Sequence, residues 1–123
     1  MNVVDSSGWL EYFADGKGAD FFAPAIEKPH KLVVPTLTLY EVFKRLQQQR
    51  GPGPAFEAVA LMQQGRVVDL SAELAIAAAH IGVERGLALA DSVIYATARA
   101  AGATLWTQDA DFEGLPDVRY LRA

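Results

Sequence analysis

The 123-residue sequence predicts an α/β fold of three layers, a central, mainly parallel sheet of four or five strands flanked by helices. Two patterns and a composition point to it. Short apolar runs alternate with segments of helical periodicity, the signature of strand–helix–strand units. The runs "LVV" (Leu32–Val34) and "RVV" (Arg66–Val68) are nearly continuously apolar, as strands covered on both faces are. Hydrophobic residues make up 51% of the chain, enough for a real core and too many for intrinsic disorder.

"NVV" (Asn2–Val4) reads as the first strand, ending at Asp5. "SSGWLEYFA" (Ser6–Ala14) follows as a helix with Trp9, Leu10 and Phe13 on one face. "ADFFAPAIEK" (Ala19–Lys28) is a second helix, interrupted or started by Pro24. "KLVVP" (Lys31–Pro35) is the second strand. The next helix begins at about Thr38, where Leu39, Val42, Phe43 and Leu46 repeat at i, i+3, i+4 and i+7. "RGPGP" (Arg50–Pro54) stops it in a tight turn, and "AFEAVALMQQG" (Ala55–Gly65) returns as a helix. "RVVDL" (Arg66–Leu70) is a third strand. Ser71 caps a helix through Gly86. The apolar segment around Asp91 is a further helix, ending near Gly102. "ATLWT" (Ala103–Thr107) is the fourth strand and "VRYL" (Val118–Leu121) the fifth. No repeat or composition break divides the chain, so residues 1–123 read as one domain.

Composition excludes several function classes. There is no cysteine, hence no disulfide, thiolate metal site or thiol catalysis. No apolar run approaches the ~18 residues of a membrane span. The opening "MNVVDSSG" lacks the basic and apolar regions of a signal peptide, which leaves cytoplasm as the expected location. The net charge of −4 argues against nonspecific binding to nucleic acid or membrane surfaces. With four acids gathered on a metal, eleven acids and eleven bases would remain, so a nucleic-acid substrate is compatible with the balance.

Ligands of open α/β sheets bind outside the carboxyl ends of the strands. Four acids are expected there: Asp5 after the first strand, Glu41 in the first turn after the second, Asp91 at the start of its helix, and Asp109 two residues past the fourth strand. Each also has a local explanation. Asp5 suits a helix cap. Glu41 completes a T-x-x-E capping box with Thr38, or pairs with Arg45 at i+4. Asp91 suits a first-turn acid facing the helix dipole. Asp109 suits an Asx-turn. Gathered at one edge, however, the four carboxylates repel one another and raise a pKa, a conflict that a divalent cation removes. An oxygen-only donor set suits Mg²⁺ or Mn²⁺, and such a site suits phosphodiester hydrolysis.

These residues carry a family resemblance. "VVDSSGWLEYF", "VPTLTLYEVFKRL", "LALADSVIYATARAAGATLWTQDADF" and "LPDVRYL" together resemble the PIN-domain ribonucleases, specifically the toxins of VapBC-type toxin–antitoxin pairs. The third stretch is the specific one. It matches a small-residue A-D-x-x-I-A-A-T-A helix followed by a T-x-D-x-D-F ending, with Tyr95 where the family usually has a small residue.

The resemblance implies a PIN-like fold and a metal-dependent endoribonuclease leaving a 5′-phosphate and a 3′-hydroxyl. It assigns Asp5, Glu41, Asp91 and Asp109 as the catalytic, metal-holding quartet for Mg²⁺ or Mn²⁺. Ser6 and Thr107 correspond to supporting hydroxyls. Asp111 is either a helper acid or, the favoured reading, a turn cap. The implied partners are an RNA substrate, a small cognate antitoxin and a second copy of the chain, with no membrane. The helix pair around "RGPGP" offers apolar surface for an interface (Leu39, Phe43, Leu46, Phe56, Val59, Leu61, Met62), unless it all packs inward. Lys44, Arg45, Arg50 and Arg99 are candidate phosphate contacts, with solvated ion pairs the plainer reading. His30 and His80 lack matching partners for metal-free catalysis, and Trp9, Trp106 and Phe112 read as core. The competing readings are a PIN fold that does not cleave and a receiver-like Mg²⁺-binding module. The latter would need an acid pair after the first strand and a lysine after the last major one, and the chain has neither.

Overall fold

The computed structural model describes all 123 residues. β1 (Asn2–Val4) leads into α1 (Ser6–Phe13), and α2 (Ala19–Ile26) returns the chain to β2 (Val33–Pro35). α3 (Thr36–Arg50) and α4 (Pro52–Met62) pack as a hairpin before β3 (Arg66–Val68). α5 (Ala72–Arg85) and α6 (Leu89–Ala100) form a second packed pair, followed by β4 (Thr104–Thr107) and β5 (Val118–Tyr120). Short 3-10 turns occupy Pro29–Lys31 and Ala110–Phe112.

All strand pairs are parallel. One ladder runs β1-β4-β5, another β2-β3, and a lone bridge between Asn2 and Leu32 joins them. The spatial order is therefore β3-β2-β1-β4-β5. The chain progresses one way from β1 through β2 and β3, then crosses back to β4 on the other side. The point of reversal lies between β1 and β4, where open sheets of this kind form a crevice at the strands' carboxyl ends.

The pleat divides the core. Val3, Val33 and Leu105 point to one face and pack with Ile94 and Tyr95 of α6 and with Phe112. Their neighbours Val4, Val34 and Trp106 point to the other, against Trp9, Phe22, Val42 and Met62 of α1 to α4. Burial on both faces accounts for the continuous apolar runs. Trp9, Trp106 and Phe112 are core, as expected. Tyr95 is buried too, and its hydroxyl donates to the Pro116 carbonyl (2.8 Å).

Several boundaries move. Pro24 neither starts nor breaks α2. It lies inside the helix, where the missing N–H forfeits a single bond. α3 begins at Thr36 because Pro35, extended at φ −62° and ψ 137°, releases the chain straight into the helix. Only Gly51, at φ +87°, interrupts the hairpin. α4 starts at Pro52, whose fixed φ suits a first helical position. The strands are trimmed to three or four residues, with Lys31 drawn into a 3-10 turn.

Candidate functional site

Asp5 sits at the carboxyl end of β1 and caps α1. Its Oδ1 accepts from the Gly8 N–H (3.0 Å) and from Ser7 Oγ (2.7 Å). A helix cap explains those two bonds. It does not explain the third, from Thr107 Oγ1 at the end of β4 to Oδ2 (2.7 Å). Asp5 is only 3% exposed. Burial pushes its pKa up to about 6, against the lowering pull of the Ser7, Thr107 and Gly8 donors, and the charge of Asp109 adds to the rise. Thr107 in turn accepts from the Asp109 N–H (2.9 Å), so one buried hydroxyl joins the first acid to the segment carrying the last ones.

Asp109 forms the expected Asx-turn, its Oδ1 accepting from the Asp111 N–H (2.9 Å). The cap of this turn is therefore Asp109, and the reading of Asp111 as the cap is corrected. Asp111 makes no such bond, and its carboxylate is directed elsewhere. Oxygens of Asp91, Asp109 and Asp111 all lie within 4.8 Å of one another.

Asp91 is the third residue of α6. The helix is capped at Ala88 without a side-chain bond, and the Asp91 carboxylate accepts no hydrogen bond from the protein. Its pKa is pushed up to about 7, first by burial, then by the negative charges of Asp109, Asp111, Asp5 and Glu41. The charges of four other acids thus act on the Asp91 carboxylate.

Glu41 stands in the second turn of α3, not the first, because the helix starts two residues early. The capping box does not form. Thr38 Oγ1 donates instead to the Pro35 carbonyl (2.6 Å), and Glu41 accepts from Ser6 Oγ (2.6 Å). Nor does Glu41 pair with Arg45. The ion pairs are Arg99–Asp117 and Arg122–Glu113, and His80 lies 3.2 Å from Glu84. The two adjacent serines therefore serve different acids, Ser6 holding Glu41 and Ser7 holding Asp5. Ser7 was not among the sequence candidates. Its signal was its place in the first turn of the helix that Asp5 caps.

The candidate cations scatter. Lys44 lies over the Tyr40 ring, 5.6 Å from its centroid, one turn beyond Glu41, and Arg45 is exposed. Arg50 is nine residues past Glu41, about 14 Å along the helix, and lines a different cavity. Arg99 is in the last turn of α6, the end opposite Asp91, beside Asp117 and the Tyr95 ring. The structure does not bring Arg50 or Arg99 to the acids. His80 is exposed beside Glu84, and His30 lies in a 3-10 turn.

The donor set matches a hard divalent cation. It consists of carboxylate oxygens, and one carboxylate, that of Asp91, is held without a protein donor among like charges.

The PIN domain family model matches residues 3–118. No curated protein matches the chain. Among solved structures, a toxin–antitoxin complex from Klebsiella pneumoniae superposes with a TM-score of 0.81 at 22% identity, covering 97% of this chain and 96% of that one. The Mycobacterium tuberculosis VapC20, a sarcin–ricin loop cleaving toxin, gives 0.79 at 23% identity over 96% and 97%. VapBC2 from Rickettsia felis, bound to a DNA fragment of its promoter, gives 0.72 at 13% identity over 98% and 96%.

Proposed function

Since the chain belongs to the PIN domain family, we propose that it is a Mg²⁺- or Mn²⁺-dependent endoribonuclease, the toxin of a toxin–antitoxin pair. The observation that carries this is the unpartnered Asp91 carboxylate, set against Asp109 and Asp111 at the sheet's reversal point. Asp91, Asp109, Asp5 and Glu41 would hold the ion, and Asp111 joins them as a further candidate. When bound, the ion supplies Lewis acidity toward water and phosphate oxygens.

The remaining roles belong to the chain itself. Ser6 orients Glu41, while Ser7 and Thr107 fix both oxygens of Asp5. Asp91, held without a protein donor among the charges of Asp109, Asp111, Asp5 and Glu41, is the carboxylate whose charge a bound cation would relieve most. RNA as substrate agrees with the likeness to VapC20, a sarcin–ricin loop cleaving toxin. Lys44 and Arg45, within a turn of Glu41, remain candidates for phosphate contact.

Two surfaces support the partner readings. α4 borders a cavity of about 310 Å³ lined by Phe13, Leu46, Arg50, Glu57 and Leu61, and on another face of α4 Phe56 is 63% exposed; both suit contact with an antitoxin segment. α5 presents Ala72, Ile76, Ala79 and Val83 to solvent at alternating steps of four and three, which suits a second copy. No helix is long and apolar enough to cross a membrane. A cytoplasmic, single-domain toxin is the corresponding reading.

Incubation of the full chain with RNA and Mg²⁺ or Mn²⁺, beside Asp5→Asn and Asp91→Asn, tests the activity. Cleavage by the intact chain and loss in both variants is expected. Equal cleavage by all three would assign the activity to a contaminant, and metal binding without cleavage would indicate a non-catalytic PIN fold.

A further inference from the structure

RNA cleavage needs cations and base contacts close to the cut bond. Arg50 and Arg99 lie elsewhere, but a different pair stands at the carboxyl edge of the sheet. Lys17, in the turn between α1 and α2, and Arg122, just past β5, line a cavity of about 490 Å³ with Glu11, Gly16, Gly18 and Gln108. That volume is within the usual range of small-ligand sites, roughly 300–1,000 Å³.

Gln108 forms the wall nearest the acids. It is the residue between Thr107, which donates to Asp5, and Asp109. Its backbone N–H points to Ser7 Oγ (3.4 Å), the hydroxyl that also holds Asp5. The wall and the acidic site are thus fixed to each other. Its side-chain amide has no hydrogen bond within the protein and offers both donors and an acceptor.

The opposite wall is glycine backbone. A Cβ at Gly16 would lie 2.6 Å from the Glu11 carboxylate. One at Gly18 would lie 2.9 Å from Leu121 and 3.2 Å from Gln108 Oε1. Side chains there would fill the space. The Glu11 carboxylate is occupied by the Gly18 N–H (2.8 Å). Lys17 has no ion pair. Arg122 has only an exposed contact with Glu113 at 3.5 Å, of a kind worth little.

We propose that this cavity takes the nucleotide beside the scissile phosphate of a single-stranded RNA segment, Gln108 reading the base edge and Lys17 and Arg122 holding the adjoining phosphate. The assignment rests on the ribonuclease reading above. Unstacked bases are the ones whose edges a side-chain amide can reach. An amide reads them by paired donor and acceptor bonds.

Two measurements test it. The first maps cut sites in randomised oligoribonucleotides with Mg²⁺. The intact chain should show a base preference at one position flanking the cut. Gln108→Ala should weaken that preference by roughly tenfold. Gln108→Glu, of the same shape but without amide donors, should change which base is favoured. The second measures affinity of the Asp91→Asn chain for labelled oligo(A), oligo(C), oligo(G) and oligo(U). Here Lys17→Ala and Arg122→Ala should each weaken binding and lower the salt slope by about one. If both Gln108 variants keep the original preference, or the two cation variants leave affinity and slope unchanged, the proposal is overturned. Absence of cleavage by the intact chain would defeat the ribonuclease reading, while the binding measurement would still decide the cavity's role.

Discussion

Asp91 is held by folding in a place that penalises its charge. In the unfolded chain it titrates near 3.8 and in the native protein near 7. The native state therefore binds the proton more tightly. That contribution to stability is complete below pH 4, is lost as pH rises toward 7, and stays lost above it. The group is partly solvated, so screening reduces the effect to about 1 kcal/mol. In chelator, the melting temperature should fall between pH 5 and pH 8, and Asp91→Asn should melt higher than the parent at pH 8 while losing activity. A lower melting temperature for Asp91→Asn in chelator would make Asp91 a structural cap. A divalent cation should relieve the same penalty. Mg²⁺ or Mn²⁺ at a hundredfold excess over its Kd should stabilise the parent by about 3 kcal/mol, read as a rise in melting temperature largely absent in Asp91→Asn. Thr107 bears on the neighbouring acid. Thr107→Val removes a donor from a buried carboxylate and an acceptor from the Asp109 N–H, and should cost about 2 kcal/mol in a denaturant titration, with Thr107→Ser restoring most of it. Asp5 and Asp109 were marked as candidates by the strand ends beside them, Glu41 by the helix that follows β2, and Asp91 as the one charge at the start of an apolar helix. Asp111 was misread because Asp109 and Asp111 have the same local turn propensity. Only the backbone geometry decides that Asp109 takes the cap and leaves Asp111 free for the cluster.

At the scale of elements, the legible features were those set by periodicity. The hydrophobic repeat located α3, and Ser71 caps α5 by accepting from the Leu74 N–H (3.1 Å). Helix starts at Thr36 and Pro52 were not legible, because proline signals a stop as readily as a first turn. That two-residue error moved Glu41 from the first turn to the second and suggested a capping box that the fold does not make. The close approach of α1 to α2 was also hidden. Gly8 lies where a Cβ would sit 2.6 Å from the Phe22 ring and 2.7 Å from a Val4 methyl group, both fully buried. Gly8→Ala must push α1 outward, although alanine is the better helix former. It is expected to destabilise by about 1–3 kcal/mol in chemical denaturation. A gain in stability would mean that α2 yields at little cost, and that the glycine is not required by packing.

For the whole molecule, the three-layer plan was readable from the alternation of elements, whereas the surfaces it leaves open were not. The sequence pointed to the α3–α4 hairpin as interface, yet Leu46 and Met62 are buried there and Leu39, Phe43 and Val59 pack against the core. The larger uncovered apolar surface is on the other side. Ile76 is 72% exposed, Val83 88% and, across the short turn from α5 to α6, Leu89 79%. Leu89 is the first residue of α6 and Asp91 the third, so this surface borders the acidic site. Apolar side chains at such spacing on one helix pair well with themselves about a two-fold axis. The parent protein is therefore expected to sediment as a dimer at micromolar concentration, and Ile76→Glu with Val83→Glu as a monomer with an unchanged circular dichroism spectrum. Both residues are exposed, so neither change should disturb the fold. A monomeric parent would remove the second copy from the assignment and leave this face to another partner.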